Sequence, residues 1–345
     1  MGDGHFSALF PKDLSEVRKK INPKAYRHSS AQILFWCGFD FVFYLATLFA
    51  VFVIANPFAK LFFGFCAGIA ASGLFVLAHD AAHGALLRNR KTAEVLGTVF
   101  MLPALNVYRL WCFGHNRIHH GFTSFSPIDW IWRPLSVEEY ANLSSLKRIF
   151  YRIERSLYGC GLHYFAKVWW PKMVLFMPGK LKPRDKNLIR LGKAVVVLFA
   201  VSLGGLAYYC GGIMTLVAAL ILPFIVFNYV ISLIVYLHHT HPNLPFFDEK
   251  AQWNHTIGAL YCTSIIHSHW LIDVLTHNIM VHTPPHIDIR IPFYRLNLAL
   301  KGIKEHYGHY LHEYSLNGAG LSTIFKKCKL YNYKTREWLL FPVKN

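Results

Sequence analysis

Four apolar runs set the limits on what this chain can fold into. They cover about Gln32 to Ala55, Leu61 to Ala78, Ala194 to Tyr209 and Ile213 to Leu237. Each approaches the ~20 residues that a helix needs to cross the hydrocarbon core of a bilayer. The first two are separated by Asn56-Pro57-Phe58-Ala59-Lys60 and the last two by Gly211-Gly212, so the runs pair into two hairpins. Charged residues are 16% of the chain and hydrophobic residues 54%; a soluble domain carries about 25% charged residues. A soluble cytoplasmic enzyme is excluded. The chain divides into an N-terminal arm (1–31), a first hairpin (32–78), a central segment (79–193), a second hairpin (194–237) and a C-terminal segment (238–345). On the second run Gly64, Gly68 and Ser72 stand four apart, a small-residue stripe that lets another helix approach closely.

The chain has 36 Lys and Arg against 18 Asp and Glu, a formal charge of +18. A nucleic-acid binder gathers its cations on a soluble face; here they alternate with apolar runs, which points to membrane flanks and to no nucleic-acid partner. The N-terminal arm carries Lys12, Arg18, Lys19, Lys20, Lys24 and Arg27, whereas the two hairpin turns offer only Lys60. Positive charge marks the cytoplasmic side, so both termini and the central segment are expected there. The polar opening with Asp3, Asp13 and Glu16 is not the layout of a cleaved signal peptide. The seven Cys are scattered, with no Cys-x-x-Cys pair, and suggest neither a disulfide framework nor a thiolate metal site.

Twenty His are present, none between His28 and His79 or between His163 and His238. All therefore fall on the cytoplasmic side of the expected topology. His79/His83, His115/His119 and His282/His286 each stand four residues apart, a spacing that puts two imidazoles on one helix face. His120 adjoins His119, and His238, His239 and His241 directly follow the fourth run. A zinc site takes three or four ligands, so this number of rings implies two metals. A nitrogen-rich set suits iron, copper or zinc. His79-Asp80-Ala81-Ala82-His83 also invites comparison with the zinc-protease helix, but Asp80 is one methylene shorter than the Glu used there as base, and a protease leaves the other clusters unexplained.

At these residues the chain resembles the membrane fatty-acid desaturase superfamily, in particular the acyl-lipid Δ12/ω-6 type and its bacterial relatives. His79-Asp80-Ala81-Ala82-His83 is similar to the first histidine box and His115-Asn116-Arg117-Ile118-His119-His120 to the second. Tyr236-Leu237-His238-His239-Thr240-His241-Pro242 resembles the segment after the last span, and His282-Thr283-Pro284-Pro285-His286, preceded by His277-Asn278, resembles the third box. The resemblance implies an all-α integral membrane protein, four transmembrane helices under a helical cytoplasmic cap. It also implies two iron ions, dioxygen as co-substrate, and oxidation of a lipid or fatty-acyl chain to an alkene. As ligands it implies His79, His83, His115, His119, His120, His282 and His286, with His239 or His241 after the fourth run; His277 and His238 are weaker candidates. Asp80, Asn116, Asp129, Asn278 and Asp288 are candidates to hold the second ring nitrogen of a ligand.

One departure bears on chemistry. The third box of the family usually has His where Pro285 stands, and Pro284-Pro285 disfavours a regular helix across the box. The spacing of His282 and His286 then fails to put both on one face, His277 supplies the missing ring or one iron is poorly held, and oxidation is redirected toward hydroxylation. A hydroxylase or ketolase of the same superfamily acting on acyl lipid, alkane or carotenoid is thus the nearest rival, and a His-rich metal carrier a distant one. Electrons are expected from a separate donor, cytochrome b5 or a ferredoxin-like protein with its reductase, since no carrier domain fits after Ile303. The basic stretch Lys167, Lys172, Lys180, Lys182, Arg184 and Lys186 reads as a contact for anionic headgroups, with an acidic donor as the alternative. Asn228 lies ten residues before His238, about 15 Å deeper along a helix. Trp130, Trp132, Trp169, Trp170 and Trp253 are interfacial anchors or walls of an acyl channel. No endoplasmic-reticulum retrieval signal stands at Lys344-Asn345, which favours a bacterial inner membrane.

Overall fold

Each of the first two long helices begins on a side chain that satisfies its free amides. Ser29 Oγ accepts from the Gln32 amide to start α1 (Ser30–Val53), and Asn56 Oδ1 accepts from Phe58 and Ala59 to start α2 (Pro57–His83). Pro57 takes the first position of α2, where no N–H is needed. The apolar run ends at Ala78, yet the helix continues to His83 and stops on Gly84 with φ 72°. His79 and His83 therefore ride on a rigid extension of a long apolar helix.

The computed structural model describes residues 10–179 and 181–342. Asp3, Lys180, Lys344 and Asn345, which bear on the termini and the basic stretch, lie outside the described residues. Three helical segments are long and apolar enough to cross a membrane: α1, α2 and the 57-residue stretch Pro183–His239. This stretch comprises α3 (Pro183–Leu216), a π-helical turn (Val217–Ile221) and α4 (Leu222–His239). Its backbone leaves helical conformation at Gly211 (φ −163°, ψ 24°) and Gly212 (φ 64°, ψ −158°), where the sequence places a turn.

α2 is the inner helix: 67% of its most apolar stretch is buried against 28% in α1, which leaves Leu34, Phe35, Val42 and Phe49 on the outside. The small-residue stripe explains how α2 gets there. A Cβ at Gly64 would collide with the Ala218 backbone, and one at Gly68 with Val226 and the Pro223 carbonyl. Ser72 turns its hydroxyl back to the Gly68 carbonyl at 3.0 Å. Lys60 is buried, its Nζ donating to the Val51 carbonyl and to Thr215 Oγ1, both at 2.8 Å. It ties the α1–α2 turn to the Gly211–Thr215 end of the second pair.

Short helices pack against the long ones, and the described residues are mostly helical, as expected. The all-α expectation needs one correction: β1 (Ser264–His267) pairs parallel with β2 (His312–Ser315), and β3 (Leu330–Asn332) pairs antiparallel with β4 (Glu337–Leu339). These runs of three or four residues are too short to carry a period-two pattern, and what pairs them is burial of Ile265, Ile266, Leu330 and Tyr331.

Candidate metal centre

Eight histidines converge as two groups of four, His79, His83, His115 and His120 in the first and His119, His239, His282 and His286 in the second. Within a group the potential ligand atoms lie within 4.8 Å of one another. Several Nε2 pairs are closer still: His79 and His83 at 3.2 Å, His115 and His120 at 3.0 Å, His239 and His282 at 3.0 Å, His282 and His286 at 2.9 Å. Ligands held ~2.1 Å from one ion have neighbours roughly 3 Å apart, which these edges match. The groups adjoin each other, since His286 stacks on His120 with centroids 3.9 Å apart. Burial holds His115, His120, His282 and His286 well below the usual imidazole range, and the neighbouring rings add to the effect. Neutral imidazole is the ligating form, so the donor set fits two nitrogen-bound metals.

The second box departs from a simple helix. Phe113–His119 is π-helical, a wider turn in which residues five apart come into line. His115 consequently joins His120 in the first group, and His119 faces the second. Spacing alone suggests that His115 and His119 share a face; the wide turn separates them.

The third box corrects the expectation about Pro285. Thr283–Ile287 is helical and begins at His282, which places Pro284 and Pro285 in the first turn, where their missing N–H groups have no helical partner to lose. Asp288 N donates to the Pro284 carbonyl at 2.9 Å. The prolines start the turn, and His282 and His286 meet on one face.

Four of the second ring nitrogens find partners, some foreseen and some not, while Nδ1 of His120 and of His282 has none among the described residues. Asp80 Oδ1 lies 3.2 Å from His79 Nδ1, while its other oxygen accepts from the Phe293 amide at 2.7 Å and so ties the first box to the segment after the third. Asp129 Oδ2 lies 3.1 Å from His119 Nδ1 and also accepts from the Ser124 amide. Asn116 instead donates to the Ala82 carbonyl at 2.8 Å, Asn278 lies 3.5 Å from the Asn297 amide, and Asp288 pairs with Arg290 and Tyr26. The Asn278 and Asp288 interactions engage no imidazole of either group, whereas the Asn116 side chain also lies beside His83. Sequence reasoning misses the Thr123 hydroxyl, 3.0 Å from His286 Nδ1, and the Cys262 carbonyl, 3.2 Å from His239 Nδ1. A backbone carbonyl has no sequence signal, but Thr123 stands four residues after His119, a spacing that brings its hydroxyl to the His119 carbonyl at 2.8 Å.

Three other His candidates are members of neither group. α4 ends at His239 because Thr240 is extended, and His241, turned away, stacks on Tyr314 with centroids 4.8 Å apart. His238 stacks on His282 at 3.7 Å. His277, at φ 52°, donates from Nε2 to Asp40 Oδ2 of α1 at 2.5 Å. Asn228 bonds within its own helix, to the Phe224 carbonyl at 2.7 Å.

Beside the groups lies an apolar cavity of about 290 Å³. His79 and His115 of the first group and His119 and His282 of the second form part of its wall, with Phe75, Trp111, Ile231 and Val235. Trp130, Lys172 and Phe176 are half-buried along it, and Lys172 Nζ sits 4.6 Å above the Trp130 ring. Trp132 and His163 stack at 3.6 Å in its fully buried part. Trp253 instead donates to the Thr123 carbonyl and Trp169 to the Leu105 carbonyl, while Trp170 is exposed.

Known proteins share this arrangement of sequence. Over 273 residues the chain is 30% identical to the sn-1 oleoyl-lipid 12-desaturase of Anabaena variabilis, covering 76% of this chain and 74% of that one. It is 29% identical to the enzyme of the same name from Synechocystis over 77% of this chain and 74% of that one. It is 30% identical to the chloroplastic omega-6 fatty acid desaturase of Glycine max over 77% of this chain, spanning 61% of that relative's length. The family model described as fatty acid desaturase matches residues 54–317, a range that takes in all eight grouped histidines and the cavity they face, and the chain belongs to the fatty acid desaturase family.

Proposed function

We propose that the protein inserts a double bond into an acyl chain of a membrane lipid, in the manner of the Δ12/ω-6 desaturases, with an oleoyl chain as substrate. The observation that carries this reading is the cavity: an apolar channel whose wall is shared by rings of both histidine groups. Two irons held by the two groups would supply dioxygen-dependent oxidation of an unactivated methylene pair. The chain itself supplies binding and exclusion of water. Phe75, Trp111, Ile231 and Val235 take the acyl chain from bilayer to cavity with its apolar contacts preserved, and the fixed walls hold one segment of it against the rings. Lys172 at the half-buried part suits the anionic headgroup end of a lipid. Asp80 and Asp129 fix the tautomer and aim of His79 and His119.

The topology belongs to the same proposal. Four crossings, with the break at Gly211-Gly212 as the second outer turn, leave both termini and the histidine cap on the cytoplasmic side of a bacterial inner membrane. The bond from Lys60 to Thr215 supports this by drawing the two turns to one end of the molecule. The five-part division of the chain follows from it. Electrons come from a separate carrier, of the cytochrome b5 or ferredoxin kind.

Expression in cells that make oleoyl lipids without further desaturation tests the reading by gas chromatography and mass spectrometry of their lipids. A second double bond toward the methyl end is expected. New oxygenated acyl chains with an unchanged double-bond profile would overturn it in favour of hydroxylation, for which the intact His282/His286 pair removes the structural reason. Purified protein is expected to bind two irons.

A further inference from the structure

A basic recess lies apart from the acyl cavity and shares no lining residue with it. Arg18 and Lys19 reach it from the N-terminal arm, Arg88 from the loop after α2, and Arg290 from the segment after the third box. Asp288 answers part of this charge: Arg290 bonds it through Nε at 2.9 Å and Nη2 at 2.6 Å, and Arg18 Nε lies 3.6 Å away. Lys19 and Arg88 are exposed and have no ion-pair partner among the described residues. The recess is therefore a positive hollow, four guanidinium or ammonium groups answered by the Asp288 carboxylate and, at Lys19, by Asp13.

Its position gives that charge a use. Gly84 is in its wall and directly follows His83 of the first histidine group. Arg18 Nε donates at 2.8 Å to the carbonyl of Ile287, which directly follows His286 of the second group. A molecule seated here is one residue from a ring of each group, while the acyl cavity reaches the rings through other residues. We infer that this recess receives an acidic one-electron carrier protein. The inference rests on the desaturase reading, which requires such a carrier: removing two hydrogens from an acyl chain while dioxygen becomes two waters consumes two further electrons and two protons. A protein is favoured over a lipid headgroup because the cations lie outside the apolar helices, Arg18 and Lys19 at least eleven residues before α1, Arg88 after the end of α2 and Arg290 after the third box. Complementary charge of this kind steers encounter and is weakened by salt.

Binding, read without turnover, tests this. The full chain is placed in nanodiscs of zwitterionic phosphatidylcholine and titrated with a labelled plant-type ferredoxin and, separately, with the soluble haem domain of a cytochrome b5. Saturable binding of at least one carrier is expected, weakening as salt rises. The Lys19→Glu/Arg88→Glu double variant is expected to bind at least tenfold more weakly, and Lys182→Glu/Lys186→Glu, on the other basic stretch, to bind as the unaltered protein does. Lys19, Arg88 and Lys182 are exposed and Lys186 is half-buried, so gel filtration suffices to check that each variant remains folded. Absence of saturable binding, wild-type affinity in the first variant, or a loss confined to the second would overturn the proposal. So would unchanged carrier binding with lost affinity for phosphatidylglycerol vesicles, which would make the recess a lipid site. Intact carrier binding without any lipid desaturation would instead overturn the desaturase reading.

Discussion

The two histidine groups are equal in size and unequal in construction. The first draws His79 and His83 from the end of one long helix and His115 and His120 from a single wide turn, so two neighbouring elements complete it. The second collects His119, His239 and the pair His282/His286 from three distant places, and its outer contacts come from Asp129, Thr123 and the Cys262 carbonyl. A further bond, His277 to Asp40, pins the approach to the third box onto α1. The first group is built from two neighbouring elements, whereas the second depends on how α4, the wide turn and the third box are seated together. Damage to that seating is expected to reach the second group first.

The largest test removes a ligand from each side. His286→Ala and His83→Ala are each expected to abolish activity and to leave about one metal per chain by metal analysis; if either variant loses both metals, the groups are not separate and the comparison fails. Asp40→Asn comes next. It weakens the bond to His277, with an expected cost of about 1.5–3 kcal/mol as for a buried hydrogen bond to a carboxylate, read as a lower thermal midpoint, and with metal lost from the second group while the first stays loaded. Asp129→Asn and Asp80→Asn are each expected to lower metal affinity or activity about 10–100-fold, the former through His119 and the latter through His79. Thr123→Val removes a single neutral hydrogen bond to His286, with an expected effect of about tenfold on second-group metal affinity. His241→Ala is expected to leave metal content unchanged and activity within about twofold; loss of a metal would show that His241 joins the second group after all.

The helical frame is legible because lipid imposes a length and an apolar composition, and both are visible in the sequence. Eight of the implied ligand positions fall in the two groups, and for His79/His83 and His282/His286 the four-residue spacing on a helix is a local pattern that the sequence displays. Legibility fails where one local rule displaces another. Pro285 reads as a helix breaker in the middle of a turn, but its effect depends on its distance from the helix start, and at the first turn it is harmless. His241 becomes a candidate through its adjacency to α4, yet the helix ends at His239 and the next residues take an extended path. The link from His277 to Asp40 spans 237 residues and has no local signature. The same holds for the paired strands, whose partners lie far apart or are only three residues long.

The wide turn at Phe113–His119 bears on how this family can change. A turn of this kind is equivalent to one extra residue fitted into an ordinary helix. Closing this segment to an ordinary α-helix would leave His115 and His120, five residues apart, about 140° out of line. His115 would then leave His120, and the first metal would lose its fourth ring although no histidine had been replaced. The reading frame of this helix, one residue out of step, is therefore as much a part of the centre as the imidazoles, and insertions or deletions here are expected to be tolerated less than most substitutions.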